Sequence, residues 1–258
     1  MKILIPPSNY YPIHLYNYWI NSKLEITTNI FNADDKTIII PTNYINLMEW
    51  RSFYKTYVNI DIPTRIISAL FLAERVHSLQ KRRNGNNYFY GHVLPVTHYY
   101  ILKCLVNKQS INENDVIVLI LHDCIEDFTD TTTNFYDIAR YIKDIFGDDI
   151  YNAVKALSKP PKKDYAHLTP ELQSTQRFKD YIEKIIQSGT KIINIKCCDR
   201  VINLVDDLPL VLEKGHTDFT LEYLDETKEM FTPIDFNTMN IKQDLELLIN
   251  ISSAQMKK

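Results

Sequence analysis

Residues 121 to 128 read LHDCIEDF, a histidine and three acids placed directly after the apolar run VIVLIL. In a helix over residues 116 to 127, His122, Asp123, Glu126 and Asp127 fall at i, i+1, i+4 and i+5. That spacing gathers them on one side, with Val118, Leu119 and Ile125 turned toward a core. A charged stripe is ordinarily a solvated face. Here the run before it is apolar on nearly every side, and a polar group beside a buried helix must find a partner. A divalent cation is one such partner, and one His with one Asp does not complete its ligand set.

Two other segments offer donors. In KIINIKCCDRVINLVDD, residues Lys196, Asp199, Asn203 and Asp206 recur at intervals of 3, 4 and 3, a single polar stripe on an otherwise apolar helix. His92 lies in NYFYGHVLP, at the mouth of a helix and behind a loop containing Arg82 and Arg83. Lone histidines are more often core or surface residues than ligands, and His77 and His98 read that way. Only His92 fits a wider pattern.

The elements that must position these residues are mostly helices. Five glycines in 258 residues and long apolar-periodic segments predict an all-α chain with short connections. From Pro63 the pattern is helical through Val76, ending near the loop KRRNGNN. A second helix is expected from Pro95, as an N1 proline, to Val106. Ser110 and Glu113 match a capping box ahead of the next helix, with Asn112 as a competing cap. Further helices are predicted over Tyr136 to Phe146 with Gly147 as the stop, Ile150 to Leu157, Arg177 to Gln187, Lys191 to Val205, Leu221 to Met230 and Ile241 to Ile251. The first 60 residues are less regular, and the β-branched run Thr37 to Ile40 suits a short strand.

Composition excludes some functions. Twenty-nine basic against 32 acidic residues give a net charge of −3, with no long Lys/Arg stripe, so nucleic acid is not an expected partner. MKILIPPSN is stopped by Pro6 and Pro7 before it reaches a signal-peptide centre, and no run approaches the roughly 18 apolar residues of a membrane span. A cytoplasmic location without membrane contact is expected. Cys104, Cys124, Cys197 and Cys198 contain no CxxC, which favours reduced, buried thiols over a disulfide framework or a zinc ribbon.

The order His92, then His122 with Asp123, then Asp199 resembles the HD-domain metal-dependent phosphohydrolases. Four stretches narrow the resemblance to the alarmone hydrolases, the hydrolase half of RelA/SpoT-type enzymes and their small stand-alone relatives such as the metazoan form. KRRNGNNYFYGHVLP resembles their arginine-rich loop followed by Tyr and the first His. LILHDCIEDFTDTT resembles LLHDxxEDT, FGDDIYNAVKALSK resembles FGxxVxxLVxxVTK, and INIKCCDRVINL resembles IKxADRxxN. The resemblance runs from about residue 66 to 207.

It implies an HD-domain helical bundle over residues 63–258, with its motif-bearing core at 66–207, C-terminal helices at 208–258 and an N-terminal extension, 1–62, packed on the core. It implies that His92, His122, Asp123 and Asp199 hold one Mn²⁺, and that Glu126 and Asp127 position and deprotonate the attacking water. Arg82 would stack on the purine base, Arg83 or Lys159 would meet phosphates, and Asn203 would hydrogen-bond the nucleoside. The implied reaction removes the 3′-pyrophosphate of guanosine tetra- or pentaphosphate, leaving GDP or GTP. Mixed nitrogen and oxygen donors suit Mn²⁺ chemically.

The chain departs from the family pattern in four places. One extra residue lies between the loop glycine and His92, which leaves open whether Arg82 or Arg83 contacts the base. Val93 stands where Pro is usual, Phe128 where Thr is common, and Asp206 where Thr sits beside the nucleotide, so that Asp206 could repel a polyanion or bind a ribose hydroxyl. Other readings keep the same residues: phosphohydrolysis of NADPH, a nucleoside monophosphate or a deoxynucleoside triphosphate, or nucleotide sensing without catalysis. Only about 50 residues follow residue 207, so no synthetase half is expected. Guanosine against adenosine substrate, and whether the chain forms a homo-oligomer, are left open.

Overall fold

The computed structural model describes residues 28–33, 36–41, 45–58, 61–127, 138–231 and 239–256. Among the described residues the architecture is mainly α-helical, as the periodicity predicts, with one two-stranded hairpin. Strand β1 (Thr28–Ala33) pairs antiparallel with β2 (Lys36–Pro41), Ala33 opposite Lys36 next to the turn and Thr28 opposite Pro41 at the far end. The run Thr37 to Ile40 is thus a strand, and its partner strand carries no comparable signal.

Helix α1 (Leu47–Val58) opens on a reciprocal cap. The Asn46 amide donates to Glu49 Oε2 and the Glu49 amide to Asn46 Oδ1, both at 2.9 Å. Trp50 and Phe53 then enter the same core as the later helices. Helix α2 (Thr64–Val76) follows Pro63, which leads into the first turn without breaking it.

A π-helical turn, Phe89–Val93, runs directly into α3 (Leu94–Val106). The helix therefore begins upstream of Pro95. A π turn is a short departure from α geometry that recurs at functional sites, and this one contains His92.

Helix α4 (Glu113–Leu121) is capped by Asn112, whose side chain accepts from the Asn114 amide, so the competing cap prevails over Ser110. The expected single helix over residues 116 to 127 is broken: α4 stops at Leu121, His122 and Asp123 form a turn, and α5 (Cys124–Asp127) restarts. The His122 ring nitrogen Nδ1 lies 2.8 Å from the Leu119 carbonyl, the group an uninterrupted helix would offer to the Asp123 amide.

Helix α6 (Ile138–Phe146) ends at Gly147, whose φ of 90° suits only glycine, and α7 (Asp148–Leu157) starts at once. Residues 136 and 137, expected in α6, lie outside the described residues, as does Phe128. After a 3₁₀ turn, Lys162–Tyr165, come α8 (Pro170–Gln187), α9 (Thr190–Glu213), α10 (Thr217–Phe231) and α11 (Ile241–Gln255).

Helix α9 is the axis of the molecule. It touches α3, α4, α7, α8, α10 and α11, and it runs eight residues past the predicted Val205, through Pro209. Among the described residues, no helix is long and apolar enough to cross a membrane.

Candidate active site

His92, His122, Asp123 and Asp199 come from the π turn, the α4–α5 junction and the middle of α9, and their donor atoms all lie within 4.8 Å of one another. His92 Nε2 is 3.1 Å from Asp199 Oδ1, 3.4 Å from Asp123 Oδ2 and 3.3 Å from His122 Nε2. His122 Nε2 is 2.9 Å from Asp123 Oδ2 and 3.9 Å from Asp199 Oδ1. Ligands held about 2.1 Å from one ion at right angles lie about 3.0 Å apart. Most of these separations are therefore those of a ligand set around a common point.

The histidine chemistry fits a cation. The Leu119 carbonyl can only accept, so His122 Nδ1 carries the proton and its Nε2 presents a lone pair. Two imidazole nitrogens then face two carboxylates in a space that is almost closed to solvent. Burial disfavours the His122 imidazolium, but the Asp123 and Asp199 carboxylates and the Leu119 carbonyl together outweigh it and push its pKa up to about 9. The two carboxylates shift the other way. Burial alone would raise Asp199, yet Lys196 and His92 hold it well below the usual carboxylate range, and His122 and His92 do the same for Asp123.

A surrounding set of side chains aims these donors. Lys196 Nζ lies 2.6 Å from Asp199 Oδ2, and Asn203 Nδ2 donates to Asp199 Oδ1 at 2.8 Å. The Tyr88 hydroxyl donates to Asp123 Oδ2 at 2.7 Å. The predicted stripe of Lys196, Asp199 and Asn203 is thus one bonded unit facing inward. Tyr88 was not singled out by sequence as a site residue, although it lies within the arginine-loop motif.

Glu126 is exposed, three residues beyond Asp123, and accepts the Lys159 backbone N–H through Oε2 at 2.9 Å. Lys159 therefore meets Glu126 through its amide, which leaves its ammonium for another role. Burial, then Lys196 and Arg200, lower that ammonium's pKa, so three cations share this flank of the centre. Asp127 closes α5, and its side chain lies outside the described residues.

The two loop arginines differ. Arg82 is buried and bonded to Asn203, Asp206 and Asp207. Arg83 is half-exposed, with its guanidinium 5.4 Å from the centre of the Phe219 ring. Arg83, Asn203, Asp207, Phe219 and Tyr223 border an open cavity of about 200 Å³, which Leu208 and Val211 also line. The Arg200 guanidinium carbon lies over the Tyr223 ring, 4.3 Å from its centre. Asp206 is buried between Arg82 and Asn84. Sequence reasoning missed Phe219 and Tyr223. Their spacing puts both on one face of α10, but no motif marks them.

No family model matches the chain. Relatives do. The chain is 26% identical over 196 residues to the bifunctional (p)ppGpp synthase/hydrolase SpoT of Escherichia coli K12, covering 75% of this chain and 25% of that protein. It is 24% identical over 204 residues to the GTP pyrophosphokinase Rsh of Brucella ovis, covering 78% and 24%. The chain is similar to bacterial SpoT and Rsh proteins. It spans about a quarter of the length of these relatives. A solved structure described as a metazoan ortholog of SpoT that hydrolyzes ppGpp aligns at a TM-score of 0.49 and 18% identity, over 75% of this chain and 96% of that one.

Proposed function

We propose that this chain is a divalent-metal-dependent nucleotide hydrolase that removes the 3′-pyrophosphate of guanosine tetra- and pentaphosphate. The ion would be a single Mn²⁺ held by His92, His122, Asp123 and Asp199. The observation that carries this reading is the convergence of those four donors from three segments, with Glu126 anchored by the Lys159 amide at the next turn of chain. The matching region in the SpoT relatives supports the choice of substrate.

When bound, the ion supplies Lewis acidity that offsets negative charge on phosphate oxygens. The protein supplies the rest. Glu126, with Asp127 as its partner in the proposal, takes the proton from a water whose oxygen attacks the phosphorus of the 3′-group. The bond from phosphorus to the 3′-oxygen breaks, pyrophosphate leaves, and the 3′-oxygen takes up a proton. A placed general base of this kind contributes about 10² to 10⁴ in rate. The Lys159 ammonium, beside Lys196 and Arg200, meets phosphate charge, while Asn203 and Arg83 border the cavity that receives the nucleoside. Four buried cysteines, none in a disulfide among the described residues, support a reducing, cytoplasmic setting for this activity.

Incubating the purified chain with guanosine tetraphosphate and Mn²⁺ tests the reading. GDP and pyrophosphate in equal amounts are expected, with no turnover after chelation. Orthophosphate as product would mean a phosphatase, and absence of turnover with Mn²⁺ bound would remove this substrate.

A further inference from the structure

Arg82 is the most heavily engaged cation near the candidate centre. Its side chain is only 4% exposed, with Nε 3.4 Å from Asp206 Oδ2 and Nη1 3.2 Å from Asp207 Oδ2. Nη1 also donates to Asn203 Oδ1 at 3.1 Å, and the guanidinium carbon sits 5.6 Å from the centre of the Tyr88 ring. Asp206 is held from its other side by Asn84, whose Nδ2 donates to Oδ1 at 3.1 Å. Helix α9 therefore grips the arginine loop at two points.

The loop is stiff enough to pass that grip on. The Arg82 amide donates to Asn86 O at 2.8 Å, the Gly85 amide returns to Arg82 O at 2.9 Å, and Lys81 bridges Asn87. Beyond the grip lie two of the four metal donors. Tyr88, next to that bridge, donates to Asp123 Oδ2, and Asn203, bonded to Arg82, donates to Asp199 Oδ1. These are the same oxygens that face the two histidines.

We propose that Asp206, with Asp207, is a positioning element that fixes Arg82 and, through Tyr88 and Asn203, aims Asp123 and Asp199 at their common point. Arg82 is then occupied by protein carboxylates and is not a ligand for the base or the phosphates. Arg83, over Phe219 at the border of the cavity, is the loop cation that meets the nucleotide. Loss of the Asp206 charge leaves Arg82 paired with Asp207 alone, so the guanidinium is no longer fixed from two sides. Groups that orient metal ligands from behind typically change metal affinity or activity about 10- to 100-fold when removed.

This inference rests on the metal-centre reading above, and the experiment separates the two. Mn²⁺ binding is measured by calorimetry without nucleotide, and steady-state kinetics are measured alongside. Asp206→Asn is expected to weaken Mn²⁺ binding about tenfold and to lower kcat by a similar factor, with KM changed less than about threefold. Arg83→Gln is expected to do the reverse, raising KM about tenfold with Mn²⁺ affinity unchanged. Because Asp206 acts through Arg82, Asp206→Asn combined with Arg82→Gln should bind metal no more weakly than Arg82→Gln alone. Should Asp206→Asn not fold, Asn84→Ala frees one Asp206 oxygen and should give a smaller loss of the same kind. A KM rise with unchanged metal affinity in either Asp206→Asn or Asn84→Ala overturns the proposal, as do additive losses in the double variant. Loss of Mn²⁺ affinity without any turnover in the wild type would uphold the positioning role and reject the substrate. A wild type that binds no Mn²⁺ rejects both.

Discussion

At Glu126 one carboxylate oxygen is held by the Lys159 amide at 2.9 Å while the residue stays exposed. Such a group is oriented yet open to solvent and substrate, as a general base has to be. Glu126→Gln keeps the shape and the amide contact, so it should lower kcat about 10²- to 10⁴-fold and leave Mn²⁺ affinity within about twofold. Paired kinetics and calorimetry decide this, and a fall in kcat of less than tenfold would exclude Glu126 as the base. His98 poses a different problem. It stacks on Phe53 with ring centres 3.9 Å apart, and both of its buried nitrogens are without hydrogen-bond partners among the described residues. Burial pushes its pKa down to about 3. A histidine lowered on folding stabilises fully above its unfolded value near 6.5, and that stability is lost as pH falls toward the folded value. The loss is about 2 kcal/mol at pH 5. His98→Leu should remove that share, so urea midpoints at pH 7 and pH 5 should lie closer together than in the wild type. Equal pH dependence in the two proteins would show that His98 is charged or hydrated in the folded state.

Among the elements, α4 shows which signals are local. Asn112 caps it through the Asn114 amide, so Asn112→Ala should cost about 1 kcal/mol, read as a melting point lower by about 2–4 °C. Ser110→Ala should leave the melting point unchanged, and the opposite ranking would restore Ser110 as the cap. Apolar periodicity was sufficient to read α2, α3, α4 and α9, because their burial follows the run of residue types. The break at His122 was not legible, since it depends on an imidazole reaching back to the Leu119 carbonyl. Nor was the length of α9: Asp206, Asp207 and Pro209 look like the end of a helix until Arg82 and Asn84 arrive from a distant loop to bond Asp206. His92, His122, Asp123 and Asp199 were legible as a candidate site because their types are unusual beside apolar runs. Tyr88, Phe219 and Tyr223 join it through tertiary contact alone.

For the molecule as a whole, the placement of the donors ties metal binding to folding. His92 enters from the start of α3, His122 and Asp123 from the end of α4, and Asp199 from the axial helix α9. An unfolded chain cannot hold these four groups within one coordination sphere, so an ion that needs all of them binds the native state and stabilises it by mass action. At a free Mn²⁺ concentration about 100 times its dissociation constant, the gain is about 2.7 kcal/mol. For a chain of this size that corresponds to a rise in melting temperature of about 5–10 °C. The rise should disappear with chelator and should be absent in His92→Ala and in Asp199→Ala. These variants are informative because the two residues belong to different segments: an ion held at an unrelated surface site would raise the melting temperature of both variants as it does the wild type. A thermal scan with and without Mn²⁺, run on the three proteins, therefore tests whether the helices share one ion, without any assumption about the nucleotide.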